Sequence, residues 1–511
     1  MRPAHALLAT LGSAALYCLC FSPPRLTFLA WFALVPFFTA LRSAGTGRAL
    51  LLAWVWTTAT SYGVADWLPR AIAGYYEQGL LVGFAFLFGV SWLMLAPSYL
   101  VFAACYRVLA RRPGPALPLL AGAAWAAAEL ARAKLLTGNP WALLGYSQVD
   151  AVPLIQIADV TGVYGLSFLL AATNAALTEV CLAATAAERR LRGALAGLAL
   201  TAVAFTVALA YGFLRLDSPS LAPDGPPVKV ALVQGNLDLG SQWREEFYGR
   251  NLDVYLRLTR HVIAKERPRL VFWPENAMTF FLQYEPRFRG TIAGLLGRRG
   301  VQLVAGGPHV VAASAPRYFN SIFLISPHGG IMARYDKQLL VPFTEYFPFA
   351  RLDLLRRRFA RVREFTAGAP APLLPTVAGP AGVTICNEAM FPEVAAARVR
   401  AGAGYLVDPA NDSWFSARFS AEQFDIVRLR AVEQRRYLVR ASTSGPSAIV
   451  DPFGRVVVRT APATQAVVAG EIRTSTVVTP YCRIGDLFAY LCGAAALAAW
   501  AAAPRNGTSA T

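Results

Sequence analysis

Seven long apolar runs in the first 215 residues constrain this chain more than any other feature. They lie at about 5–21, 26–42, 49–67, 79–105, 115–135, 160–186 and 193–214, and an eighth follows at about 486–503. A bilayer core takes about 20 apolar residues per helix. The chain is 56% hydrophobic and only 15% charged, well below the roughly one-quarter charged content of a soluble domain, so the runs are read as membrane-spanning helices. The first follows Arg2 as a secretion signal would. Further apolar runs come at once and no small-x-small cleavage pattern closes it, so it reads as a retained span.

Arginines assign the sides. Arg42 and Arg48 flank one short connection, Arg107, Arg111 and Arg112 another, and Arg189, Arg190 and Arg192 a third. With Arg2 and Arg505 these loops belong on the cytoplasmic side, because basic loops stay there. Seven spans then carry everything after about residue 220 to the opposite face, and the eighth returns. The fifth run is the least lipid-like, with Glu129, Arg132 and Lys134 near its end. The net charge of +18 reads as basic loops on the cytoplasmic side and attraction to anionic headgroups. No nucleic-acid-binding motif accompanies it, so nucleic acid is not an expected partner.

Cys18, Cys20, Cys105, Cys181 and Cys492 fall in apolar stretches, where cysteine acts as a small hydrophobe. Cys386 and Cys482 remain outside them. There is no paired CxxC, and His5, His261, His309 and His328 are scattered without an HExxH, so neither a metal nor another cofactor is expected.

After the Pro-rich linker Pro219–Pro227 the composition becomes that of an α/β domain. Strands are expected at Val228–Gly235, Leu270–Trp273, Val301–Ala305, Ser321–Ile325, Val383–Ile385, Tyr405–Val407, Ala448–Val450 and Val467–Gly470. Helical stretches intervene at about 242–265, 287–298, 390–401 and 420–435. The layout is thus a membrane domain at 1–215, a layered α/β domain at 228–475 and a last span at 486–503.

Three segments place reactive residues at strand ends, where an α/β fold exposes its site. LVFWPEN carries Glu275, ARYDKQLLVPFTEYFPF carries Lys337 and Glu345, and GVTICNEAMFPE carries Cys386 and Glu388. A thiol becomes a strong nucleophile once a nearby carboxylate takes its proton. An ammonium, with a backbone N–H beside the nucleophile, can hold a tetrahedral oxyanion. Taken singly, each residue is more often structural; the three in order are not so easily dismissed.

In that order the segments resemble the nitrilase (carbon–nitrogen hydrolase) superfamily, with its Glu-Lys-Cys triad on an αββα sandwich. The whole chain resembles, more narrowly, the apolipoprotein N-acyltransferase family. GNPWALLGYSQ (138–148), ADVTGVYGLSFLLAATN ending at Asn174, YFNSIF around Asn320, NDSWF around Trp414, RLRAVEQRRYLVRAS and TPYCRIGD are all similar to family segments. The resemblance implies Glu275, Lys337 and Cys386 as catalytic residues, Glu345 and Glu388 in support, and the backbone N–H of Asn387 at the oxyanion. Trp243, Trp414 and Asn320 would lie toward substrate. It implies transfer of an acyl chain from a membrane phospholipid, through a thioester on Cys386, to the α-amino group of an apolipoprotein's diacylglyceryl-cysteine. The setting would be the bacterial inner membrane, with a monomeric enzyme whose catalytic domain is periplasmic. The pattern is broken at Asn387, where the family often has an aromatic residue, around Phe424 in place of a histidine, and at Thr443 in place of an asparagine.

Two other functions fit parts of the sequence: a membrane-tethered amidase acting on a small amide, and a transporter carrying a sensor domain. The near end-to-end resemblance disfavours the first, and the scarcity of charges within the spans disfavours the second. One further segment, FPFARLDLLRRRFARVRE, interleaves Arg351, Arg356, Arg357, Arg358, Arg361 and Arg363 with apolar residues. That pattern suits an interfacial helix on anionic headgroups or an ordinary solvated basic helix.

Overall fold

In a computed structural model of the protein, all residues are described except 22–24, 112, 185–187, 238–244, 313, 349–363, 371–372, 414–415 and 504–511. The chain divides into two compact units. Met1–Pro69, Leu81–Asp217 and Ile484–Thr511 form one, and Arg70–Leu80 with Ser218–Arg483 forms the other.

The first unit is helical over most of its apolar runs. Its longer helices are Pro3–Leu19, Val35–Ser43, Thr46–Val64, Leu80–Leu109, Leu117–Lys134, Val163–Ala183, Glu188–Leu216 and Leu487–Ala501. Leu80–Leu109, Val163–Ala183 and Arg190–Leu216 are long and apolar enough to cross a membrane by length and composition. The run expected as a continuous helix at 26–42 is broken into a 3-10 turn, Thr27–Trp31, and the helix from Val35. Asn174 mends the break: its amide donates to Ala30 O at 2.9 Å and accepts from Leu34 N at 2.7 Å.

Glu129 and Arg132, the charges that made the fifth run look unlike a span, are buried against protein. They serve the non-helical backbone that follows, which must find every partner internally where no water reaches. Arg132 donates to the carbonyls of Asn139 and Trp141. Glu129 accepts from Leu144 N at 2.8 Å and from the Trp125 indole at 3.0 Å. Ser167 accepts from Gly145 N at 2.9 Å.

In the second unit twelve strands form two six-stranded sheets among the described residues. They are β1 Val228–Gln234, β2 Leu270–Phe272, β3 Gln302–Val311, β4 Arg317–Ile325, β5 Ile331–Asp336, β6 Leu374–Thr376, β7 Gly379–Val383, β8 Tyr405–Ala410, β9 Leu438–Ser442, β10 Ala448–Val450, β11 Val456–Arg459 and β12 Ala466–Ile472. The orders are β12-β1-β2-β3-β4-β5 and β11-β10-β9-β8-β7-β6. Each sheet has a parallel trio, β1-β2-β3 or β7-β8-β9, continuing into an antiparallel pair.

Alternation along each strand explains the layering. Val230, Leu232, Leu270, Phe272 and Val407 point into a shared core between the sheets. Their neighbours Ala231, Val233, Val271 and Trp273 pack outward on helices Glu245–Glu266 and Pro286–Gly297, and Leu406 outward on Pro392–Arg400 and Ala417–Gln434. The result is an αββα sandwich. β5, β6, β9 and β11 escaped the sequence reading because each hides its pattern: β6 is three residues with a central proline, β9 carries the buried Arg440, β5 opens on exposed Ile331 and Met332 before its charged residues, and β11 is a short valine run with Val457 exposed.

Phe272 is fully buried in the inter-sheet core, at the end of β2 and three residues before Glu275. Phe272→Ala is expected to cost about 3–5 kcal/mol of stability, read as a lowered unfolding transition of the detergent-solubilised protein.

Candidate active site

Three strand exits converge on one buried cluster. β2 ends at Phe272 and delivers Glu275 through Trp273–Pro274. β5 ends at Asp336 and delivers Lys337, and the β4–β5 register sets Asn320 directly opposite it, with Lys337 N donating to Asn320 O at 2.9 Å. Glu345 follows on the same loop.

The Asn320 amide nitrogen joins the two carboxylates, donating to Glu275 Oε1 at 2.7 Å and Glu345 Oε1 at 2.8 Å. Lys337 Nζ lies 2.9 Å from Glu345 Oε2 and 3.5 Å from Glu275 Oε1. Lys337 is 2% exposed. Burial alone would lower its pKa, but the charges of Glu345 and Glu275 prevail and hold the ammonium well above the ordinary lysine value. Glu345 also accepts from Val341 N at 2.8 Å, and Glu275 Oε2 accepts from Asn411 N at 2.8 Å. Glu345 is therefore the nearer counter-ion of the lysine, which leaves Glu275 the freer carboxylate.

Cys386 is not the end of a strand, as the sequence suggested. β7 stops at Val383, and Cys386 opens a short 3-10 helix, Cys386–Met390, with φ +54°. A left-handed conformation at a non-glycine residue costs of order 1–3 kcal/mol and persists only where its surroundings fix it. Glu388 is the fixture. Its carboxylate accepts from Ile385 N at 2.7 Å, Gln338 N at 2.7 Å, Leu339 N at 3.0 Å and Tyr335 OH at 2.9 Å. One side chain thus ties the turn at Cys386 to the loop leaving Lys337. Burial raises the Glu388 pKa against these donors.

Burial, and after it the charge of Glu275, hold the Cys386 thiol well above the ordinary cysteine value, while Lys337 and Arg440 pull the other way. The resting sulfur is a thiol beside a carboxylate. Asn387 is half-buried, and its side chain donates to Leu339 O at 3.2 Å. Its backbone N–H lies in the first helical turn, where N–H groups have no intrahelical acceptor.

The comparisons with known proteins bear on this arrangement. The model of the apolipoprotein N-acyltransferase N-terminal domain matches residues 13–176, and that of the carbon-nitrogen hydrolase matches 229–479. A protein of Geobacter metallireducens named apolipoprotein N-acyltransferase is 37% identical over 509 residues, covering 98% of this chain and 96% of that protein. One of the same name from Azotobacter vinelandii is 33% identical over 440 residues, covering 84% and 79%. The chain belongs to the apolipoprotein N-acyltransferase family. Among solved structures it is similar to the NitFhit protein of C. elegans, with a TM-score of 0.40 and 21% identity over 49% of this chain and 61% of that one. It is likewise similar to an amidase from Nesterenkonia sp. AN1, with a TM-score of 0.38 and 17% identity over 52% and 98%.

Within this member of the family the structure brings together Glu275, Lys337, Asn320, Glu345, Cys386, Asn387 and Glu388. Trp243, Trp414 and the arginines at 351–363 lie outside the described residues. Phe424 packs into the apolar layer outside the second sheet, and Thr443 donates to Ala410 O at 3.3 Å. The sequence reading missed Gln423, Asp408 and Arg440, all buried near the thiol. The one signal for Arg440 was an arginine inside an otherwise apolar strand.

A resting thiol predicts its own chemistry. Cys386 should alkylate with iodoacetamide at pH 7 more slowly than a free thiol such as N-acetylcysteine. Its rate should keep rising through pH 9, measured by mass spectrometry of the Cys386 peptide.

Proposed function

We propose that Cys386 carries an acyl chain as a thioester between a membrane phospholipid and the α-amino group of an apolipoprotein's N-terminal diacylglyceryl-cysteine. The observation that carries this reading is the buried Glu275–Lys337–Glu345 cluster, whose charges reach a cysteine held at a left-handed turn. Membership of the family supports the substrates.

Glu275 takes the Sγ proton as the sulfur attacks the ester carbonyl of the phospholipid. Charge gathers on the carbonyl oxygen, where the Lys337 ammonium and the Asn387 backbone N–H receive it. The C–O bond breaks, the proton returns to the departing oxygen, and lysophospholipid leaves a thioester on Cys386. The α-amine of the apolipoprotein then attacks the thioester and gives a proton to Glu275. The C–S bond breaks and the sulfur recovers its proton. Glu345 keeps Lys337 charged and in place. Asn320 fixes the spacing of the two carboxylates.

Both substrates carry acyl chains, and each buried CH₂ holds them in the bilayer by about 0.8 kcal/mol. An enzyme in the membrane lets them arrive by lateral diffusion. Its site must also keep water from the thioester, or the enzyme becomes a phospholipase. The enzyme is proposed to act as a monomer, multi-pass in the bacterial inner membrane with its catalytic domain on the periplasmic face. The apolar helices and the arginines of alternate loops support this arrangement. Trp243 and Trp414 are proposed to lie toward substrate.

Incubation with phospholipid should add one acyl mass to Cys386, and an apolipopeptide bearing a free α-amine should discharge it. Cys386→Ser should accumulate no thioester and transfer nothing; persistence of transfer in that variant overturns the reading. Glu275→Gln should slow acylation by about 10²–10⁴-fold, and Lys337→Met by about 10²–10³-fold, in single-turnover assays.

Gly306 of β3 offers an indirect test. A Cβ there would stand 2.6 Å from Glu275 Cα and from Pro274 O, closer than backbone atoms tolerate. Gly306→Ala should therefore push the proposed base aside and lower the acylation rate at least tenfold, while lysophospholipid affinity in equilibrium binding stays unchanged.

A further inference from the structure

Gln423 is 1% exposed on helix Ala417–Gln434, and its Nε2 lies 3.8 Å from Cys386 Sγ. Which end of an amide faces a sulfur is decided by the partner of its other end. Gln423 Oε1 accepts from Arg440 Nη2 at 2.7 Å. A guanidinium has only donors, so the amide cannot turn over without setting N–H against N–H.

Arg440 is itself fixed. The β8–β9 register sets it beside Asp408, whose carboxylate accepts from its Nη1, and Asp412 Oδ2 lies 3.9 Å away. Asp408 and Arg440 are fully buried and Asp412 nearly so. The Cys386 sulfur thus feels two sets of buried charges: Glu275 and Lys337 from the first sheet, Asp408 and Arg440 from the second.

We propose that Gln423 is a hydrogen-bond donor to the Cys386 sulfur whenever that sulfur carries negative charge, with its amide locked in the donating orientation by Arg440. The inference rests on the reading of Cys386 as nucleophile. Negative charge reaches the sulfur twice. The first time is when its proton passes to Glu275. The second is when the C–S bond of the aminolysis intermediate breaks and the electron pair returns to sulfur.

A neutral amide suits both moments. It stabilises the thiolate without the full ion pairing that would blunt a nucleophile, since nucleophilicity falls as thiol pKa falls. Arg440, paired with Asp408, serves through the amide as a positioning residue.

The test is alkylation of Cys386 by iodoacetamide across pH in the detergent-solubilised full chain, read by peptide mass spectrometry. Q423L, close to glutamine in size but without the donor, should alkylate about threefold more slowly at pH 8, a tenfold loss of thiolate from a midpoint raised by about one unit being offset in part by the stronger nucleophilicity of the remaining thiolate. Q423E should be slower still, because its carboxylate pairs with Arg440 and turns an oxygen toward the sulfur. R440K, which keeps a charge and a donor, should fall between wild type and Q423L.

If Q423L does not fold, Q423N draws the amide back by one methylene and should give the same slowing. An unchanged profile in whichever of these folds, or a Q423E no slower than Q423L, overturns the inference. Loss of the parent reading would look different: C386S would still transfer acyl chains, while the alkylation comparison stood unaffected.

Discussion

A lysine ammonium taken out of water must find anions, and Lys337 finds two. Glu345 is the nearer and Glu275 the farther, and the Asn320 amide bonds both. An isolated buried charge would be far too costly to keep, so these four side chains form or fail together. They arise from β2, β4 and the loop after β5 of one sheet, so their closure fixes the register of those exits. The cluster sets two carboxylates against one ammonium, and the Cys386 thiol lies within reach of their charge. On this view the proposed chemistry is a consequence of how one buried cation is compensated.

Cys386 reaches that cluster from the other sheet, and two devices bring it there. The αββα layering faces β7 toward the first sheet across a shared apolar core. Glu388 then binds backbone N–H groups of both the cysteine turn and the lysine loop. Its buried carboxylate does no proposed chemistry; it sets the geometry in which chemistry is possible. The second sheet adds its own compensated cation, Arg440 with Asp408, and the sulfur lies between the two charge systems.

The helical unit follows the same rule of complete satisfaction. Glu129, Arg132, Ser167 and Asn174 each meet backbone groups that a break in helix leaves open. Polar residues that looked out of place among apolar runs are what permits irregular backbone there. The family-like segments at 138–148 and around Asn174 are therefore structural devices of the helical unit.

Much was determined by sequence alone. The apolar runs dictated helices, because twenty residues without water partners must bond within themselves. Short apolar runs, alternating or continuous, located most of the strands. Glu275, Lys337, Glu345, Cys386 and Glu388 were legible as reactive residues in ordered segments. Tertiary structure decided what period and propensity cannot encode: that Cys386 opens a left-handed turn rather than closing a strand, that Glu388 is a backbone fastener, and that Gln423 meets the sulfur with Arg440 and Asp408 behind it. An arginine inside a strand reads as an anomaly until the partner strand supplies its aspartate. A glutamine in a helix has no orientation until a guanidinium across the sheet fixes which end faces the thiol. Periodicity depends on neighbours in the chain, whereas compensation of buried charge depends on neighbours in space.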